Sequence, residues 1–256
     1  MTIRISAELS HICPLDEVAT HARALEEHGF HRVWVPDTVV SPWEVWLAAS
    51  VIMQSTSRLR IGLGVTNPYT RHPVVMAQMA ATMQHLSGGR LALSLGRGNS
   101  RFLEKAGIQQ HETAVEECVM AVRRLIAGER TTLKGNAFQI DAMLLRTRPP
   151  AATVPIFVAA IGPSGWATAK RVADGIATVW SDKLVEIRQQ WMSEHPLPIA
   201  VLIPFAQTRS DFFSRRVTDP DELQRRIAHL DAAGFDEVII AYADQADLAT
   251  AADCLT

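Results

Sequence analysis

The sequence is poor in cysteine, has no strong charge bias and contains no long apolar run. Its 256 residues hold three cysteines, Cys13, Cys118 and Cys254, far apart in the chain. An odd, scattered set gives neither a disulfide framework nor a metal-type spacing. It fits a reducing compartment, so a cytoplasmic protein is expected. Basic and acidic residues number 25 and 27, for a net charge of −2. No electrostatic footprint for nucleic acid is present. The pairs Arg123-Arg124, Arg215-Arg216 and Arg225-Arg226 read as solvated helix faces. No run is long and apolar enough to read as a membrane span. The opening MTIRISAELS enters a strand pattern at once and does not read as a signal peptide.

Glycine is also missing where one common α/β fold needs it. A doubly wound dinucleotide fold carries a glycine-rich fingerprint on its first βα turn. Here that turn is SHICPLDE. GLGVTN and GRGNSR each hold one G-x-G without a third glycine, and no P-loop pattern occurs.

What is present is alternation. Short apolar, β-branched runs fall at about 3–9, 32–37, 59–65, 90–96, 154–160, 175–180, 198–204 and 237–242. These predict eight strands. A helical pattern follows each one. Leu15, Val18, Ala19, Ala22 and Leu25 form a single buried stripe. The second helix starts near Trp43, and others are expected at about 73–86, 111–127, 164–174, 182–192, 219–233 and 245–255. Asp219-Pro220 supplies an N-cap residue and a proline at the first helical position. LEEHGFHRVWV (25–35) is echoed by LDAAGFDEVII (230–240), two copies of one helix–Gly–Phe–strand joint. The expected fold is a (β/α)₈ TIM barrel, as one domain over 1–256. An insertion at about 128–150 alternates around Gly135-Asn136, a hairpin signal.

Active sites of such barrels gather at the C-terminal strand ends. The residues there are Glu8 and His11 after strand 1 and Asp37-Thr38 after strand 2. GVTNPYTRHP follows strand 3, GRGNSR strand 4, AAIGPSGW strand 5 and Trp180-Ser181-Asp182 strand 6. Two loops could receive an anion. Ile161-Gly162-Pro163-Ser164-Gly165 opens a helix, where free backbone N–H groups point outward. Gly96-Arg97-Gly98 offers backbone access and a guanidinium. In both, the plainer reading of the glycines is turn formation. Glu8 could equally be a solvated strand-end carboxylate, and Asp37 a cap for its own loop. His72 reads as a loop brace, and Trp166 and Trp180 as packing residues. His28 and His31 read as neither a metal pair nor a catalytic pair, and no metal site is expected.

LRIGLGVTNPYTRHPVVMAQMAATMQHLSGGRLALSLGRG, residues 59–98, resembles the bacterial luciferase-like superfamily. Within it, GVTNPYTRHP is similar to the branch that uses the deazaflavin coenzyme F420, in particular the methylene-tetrahydromethanopterin reductases. VPIFVAAIGPSGWATAKRVADGIATVW and DPDELQRRIAHLDAAGFDEVII extend the resemblance over nearly the whole chain.

The resemblance implies a flavin-type oxidoreductase with F420, or alternatively FMN, at the barrel mouth. It implies a non-proline cis peptide at Gly64-Val65, backing the cofactor ring. Thr66 and Asn67 would bond polar atoms of the ring or tail. Gly96, Arg97, Gly98 and Asn99, with Ala160, Ile161, Gly162, Pro163 and Ser164, would line the tail and phosphate site. Glu8 matches a carboxylate on the substrate side. Asp37, Glu8 and His11 are the candidates to steer a proton. Relatives often dimerise, so a homodimer acting on a small-molecule substrate is expected.

The chain also departs from the pattern. Thr38 stands where many F420-using relatives have His, and Asn99 where some have Glu. The chain is short between its sixth and eighth strands. Three readings follow: F420-dependent hydride transfer, an FMN-dependent luciferase-like monooxygenase, or a flavin-binding barrel without turnover.

Overall fold

The computed structural model describes residues 3–38, 41–192, 196–206 and 216–253. Eight parallel strands close into a barrel. They are β1 Arg4–Glu8, β2 Arg32–Val35, β3 Arg60–Thr66, β4 Leu91–Leu95, β7 Ile156–Ala159, β8 Gly175–Val179, β9 Ile199–Phe205 and β10 Glu237–Tyr242. Neighbours in the barrel follow chain order, and β1 closes the ring by pairing with β10 from Arg4↔Glu237 to Glu8↔Ala241. The remaining two strands, β5 Thr131–Lys134 and β6 Gln139–Met143, form an antiparallel hairpin outside the barrel.

The helices are α1 Val18–Glu27, α2 Val45–Ser55, α3 Pro73–Leu86, α4 Ser100–Lys105, α5 Ala114–Ile126, α6 Pro163–Val172, α7 Leu184–Met192, α8 Pro220–Ala232 and α9 Gln245–Asp253. All eight expected barrel strands are present, with ends shifted by a residue or two. Three local features differ from expectation. The expected buried stripe begins at Val18 rather than Leu15: Leu15–Glu17 form a 3-10 turn after Pro14, and Leu15 is 51% exposed. The helix expected from 111 starts at Ala114. Residues after Asn99 form the short helix α4, because the Asn99 side chain caps it, accepting from Phe102 N at 3.2 Å. Cys254 and the last expected helical residues, 254–255, lie outside the described residues.

The echo seen in sequence is structural. Gly29 and Gly234 both end their helices with left-handed φ, 81° and 74°, which a side chain would resist. His28 and Ala233 precede them, and Phe30 and Phe235 turn back into the core.

The core has two shells. The larger lies between strands and helices and holds Val33, Val35, Leu63, Leu93 and Val201. The smaller fills the barrel lumen with Trp34, Ala92, Phe157, Ala200 and Ile239. Strand alternation sends successive side chains to opposite shells, so both faces are apolar and the strands read as continuous hydrophobic runs.

The hairpin is clamped to α5. The Glu117 carboxylate accepts from the backbone N–H groups of Asn136, Ala137 and Phe138 at 2.8–3.0 Å and from the Thr113 hydroxyl at 2.5 Å. No helix of the described residues is long and apolar enough to cross a membrane.

Candidate active site

The C-terminal strand ends open onto a small cavity of about 90 Å³, lined among others by Glu8, Trp34, Val65, Ser94, Thr178 and Ile239. A larger cavity of about 520 Å³ adjoins it and shares Ile161, Thr178 and Val179. Its remaining wall includes Trp166, Trp180 and Leu184. The smaller space cannot enclose a tricyclic ring, for which sites commonly offer about 300 Å³ or more. A planar ligand would lie across the mouth, with an apolar floor beneath it.

The β3 edge is irregular. Its pairing with β4 shifts between Leu63 and Thr66, and the Gly64–Val65 peptide is cis. Val65 is 41% exposed at the rim, unusual for a valine in a barrel strand. Gly96 makes room for it: a Cβ there would sit 2.6 Å from Val65 Cγ1.

Glu8 ends β1. Its Oε1 lies 3.2 Å from His11 Nε2, and the two side chains are only 12% and 16% exposed. The turn between them is pinned by Leu9 N donating to Trp34 O at 2.8 Å and Ser10 Oγ to Ala243 O at 2.7 Å. A carboxylate that holds one imidazole nitrogen fixes the ring's tautomer and orientation.

Asp37 stands elsewhere. Its Oδ2 accepts from the Thr66 hydroxyl at 2.5 Å and from Arg71 Nη1 at 2.7 Å. Arg71 Nη2 also bonds Glu44, whose carboxylate caps α2 by accepting from Trp46 N and Leu47 N. Asp37 thus ties the second and third strand ends together and is not paired with Glu8 or His11.

Asn67 is buried, and its Oδ1 accepts from Tyr69 N and Thr70 N, both at 3.0 Å. That leaves its amide N–H groups as the part free to face a ligand. His72 caps α3, accepting from Val74 N at 3.3 Å.

The two candidate anion loops are side by side because β4 pairs directly with β7, Leu95↔Val158. In the first, Gly98 has φ 71°, and Arg97 is exposed while its carbonyl accepts from Gln110 Nε2 at 2.6 Å. In the second, Ala160 is buried and Ile161 is 78% exposed. Gly162 N-caps α6 without a side-chain cap, Pro163 follows, and Ser164 is exposed. The first N–H groups of α6 are therefore open to an outside acceptor.

Sequence reasoning did not single out the lumen residues Trp34 and Ser94 or the brace Arg71. In a strand buried on both faces, period-2 alternation does not separate inward from outward positions. Arg71 was visible within TRHP, but not its partner.

A (β/α)₈ barrel with an irregular third strand at its mouth defines the class. A profile of the luciferase-like monooxygenase family matches residues 1–191. The chain belongs to that family. It is 32% identical over 165 residues to a 5,10-methylenetetrahydromethanopterin reductase of Methanolobus tindarius, covering 64% of this chain and 50% of that protein. It is 36% identical over 176 residues to an F420-dependent hydroxymycolic acid dehydrogenase of Mycobacterium tuberculosis, covering 62% and 48%. The chain spans about half the length of these curated relatives. The crystallised coenzyme F420 dependent tetrahydromethanopterin reductase from Methanopyrus kandleri superposes with a TM-score of 0.83 at 18% identity, covering 99% of this chain and 98% of that one.

Proposed function

We propose that this chain is an oxidoreductase that uses coenzyme F420 for hydride transfer to or from a small organic substrate. The observation that carries the reading is the mouth itself: a half-exposed Val65 on the β3 irregularity borders the same cavity as Glu8, whose carboxylate holds His11. The names of the sequence relatives support F420 in particular.

The residues present fit such a group. The floor under the mouth is apolar, as a planar ring requires. A Cβ at Gly162 would meet nothing within 4 Å, so the backbone there is approachable. The uncapped N-terminus of α6 supplies donors for a phosphate. Arg97 supplies a nearby cation. Bound F420 supplies a hydride acceptor or donor at C5 of its ring. The chain's own share is binding, orientation and handling of the proton. Val65 and Gly64 would back the ring, and Asn67 would meet its polar edge, with the fully buried Thr66 positioning that segment from behind. Gly96, Gly98 and Asn99 with Ala160 to Ser164 hold the tail. His11 gives or takes the substrate proton at an imidazole nitrogen, and Glu8 balances the charge that forms on the ring. Asp37 acts by holding Thr66.

The family's description as luciferase-like monooxygenases favours one second reading, an FMN enzyme that uses oxygen. On either reading residues 1–256 act as one barrel domain, with 128–150 as an excursion. Exposed Leu47, Val75, Leu86 and Met120 on the outer helices support association into a homodimer. The buried free thiols Cys13 and Cys118 support a cytoplasmic setting.

The test is a fluorescence titration of the purified protein with F420 and with FMN. Preferential F420 binding at micromolar affinity or tighter is expected. FMN preference would move the protein to the second reading, and binding of neither would overturn both.

A further inference from the structure

Below the mouth, inside the lumen, lies a buried polar cluster that the proposed chemistry does not use. Glu237, at the start of β10, is 2% exposed. Its Oε2 accepts from Arg32 Nη1 at 2.7 Å. Its Oε1 accepts from Ser6 Oγ at 2.7 Å and from Trp34 Nε1 at 2.9 Å. The Arg32 guanidinium also stands 5.0 Å over the Trp34 ring. A charge pair in this position is a weak source of stability, because apolar residues of equal volume commonly serve as well or better. Its directional bonds are what apolar packing would lack.

Trp34 is the link to the mouth. Its indole lies across the lumen directly beneath β3. A Cβ at Gly62 would come within 2.3 Å of the ring, and one at Gly64 within 3.1 Å. The ring also lines the mouth cavity together with Gly64 and Val65. Its lumen neighbours are the small Gly62, Gly64, Ala92 and Ala200 on one side and Phe157, edge to face at 5.6 Å between ring centroids, on another. The outer torsion of an aromatic side chain has a broad minimum. A hydrogen bond to a carboxylate that is itself fixed by two other donors selects one orientation.

We infer that Glu237 is a positioning residue for the cofactor seat: through the indole N–H of Trp34 it sets the plane on which Gly64 and Val65 rest. This rests on reading the mouth as the seat of a planar redox ring. Glu237 does not touch that ring, and Arg32 and Ser6 serve to hold the carboxylate.

The test compares wild-type protein with Trp34→Phe and with the double variant Arg32→Met/Glu237→Leu. Trp34→Phe keeps an aromatic ring and leaves the Glu237–Arg32–Ser6 bonds intact, losing only the N–H link and some bulk. The double variant replaces the ion pair with apolar volume. Three quantities are read: thermal midpoint without ligand, Kd for F420, and the visible circular dichroism of the bound coenzyme. A merely structural cluster would lower the midpoint and leave the dichroism of bound F420 unchanged. The positioning role requires the reverse. The double variant keeps a midpoint at or above wild type, while both variants bind F420 about tenfold more weakly with altered dichroism. Adding Glu237→Gln to Trp34→Phe should add little further weakening, as for two members of one chain. Wild-type affinity and dichroism in either folded variant would overturn the inference alone. Failure of wild-type protein to bind F420 or FMN would overturn the reading of the mouth, and this inference with it.

Discussion

Arg71 and Asp37 are joined at 2.7 Å between Nη1 and Oδ2, and the same carboxylate oxygen holds the Thr66 hydroxyl. Strand ends two and three are thereby locked together next to the irregular Gly64–Val65 segment. An aspartate occupied in this way is a brace before it is an acid. Asp37→Asn keeps the shape and removes the charge that Arg71 faces. The variant should lose about 1–3 kcal/mol of stability, the cost of breaking a partly buried charged hydrogen bond. Urea unfolding measures it. Cofactor affinity should fall as well, because Thr66 loses its anchor. An unchanged midpoint with abolished turnover would instead return Asp37 to a direct role in proton transfer.

The Glu8–His11 pair has the opposite character. Glu8 lines the cavity, and its bond to Nε2 fixes the orientation of the His11 ring. His11→Ala should reduce turnover about 10²–10⁴-fold, the usual worth of a positioned general acid or base. Glu8→Gln should give a smaller loss, since Gln can still accept from Nε2 but does not balance an imidazolium. Cofactor Kd should stay within about threefold in both, as neither residue is among those assigned to the tail or ring edge. A matched loss of cofactor binding would show that the pair belongs to the cofactor's seat and not to the substrate's.

How much of this was legible beforehand differs by scale. The eight strands and their helices followed from apolar periodicity and from markers such as Asp219-Pro220. The hairpin followed from alternation around Gly135. The mouth loops followed from the rule that βα loops carry function. What was not legible is pairing across distance. Trp34 and Glu237 are 203 positions apart, and Asp37 and Arg71 are 34 apart. No local pattern marks either partner as the other's. The short helix α4 was also missed, since its signal is a single capping Asn99 in a glycine-rich stretch that reads as loop.

Gly96 is required by its neighbour. A methyl group at this position would lie 2.6 Å from Val65 Cγ1 and 3.1 Å from Ala159 Cβ. Ala159 is held in β7, so Val65, 41% exposed at the rim, is the side chain that must move. Gly96→Ala should cost about 1–3 kcal/mol through overpacking. It should also push Val65 across the mouth and weaken F420 binding by more than Gly162→Ala, whose added methyl group meets open space. Equal affinities in the two variants would show that Val65 does not shape the seat.

His31 predicts the acid side of the stability curve. Burial is the main cause that lowers its pKa from 6.5 to about 4, partly offset by Glu237 and reinforced by Arg32, Arg4 and Arg60. Its Nε2 is buried without a hydrogen-bond partner among the described residues, so protonation there would leave an N–H⁺ unpaired beside three arginines. In the unfolded chain the same imidazole takes a proton near its ordinary pKa. Between about pH 6.5 and pH 4 the unfolded state therefore binds more protons, and stability rises with pH through that window. Acidification from pH 7 to pH 4 should remove about 1–2 kcal/mol through this group, allowing for the ring's partial exposure to solvent. His21 shifts in the same direction, again chiefly by burial, and adds to the slope. Urea unfolding of wild type and His31→Gln at several pH values separates the two. The variant should keep the shares of His21 and of the carboxylates Glu26, Glu116 and Glu117, whose pKa values are also lowered, and lose the His31 share, so its stability should vary less between pH 4 and 7. Parallel curves would mean that His31 is protonated in the native barrel and has found an acceptor near the Arg32–Glu237 cluster.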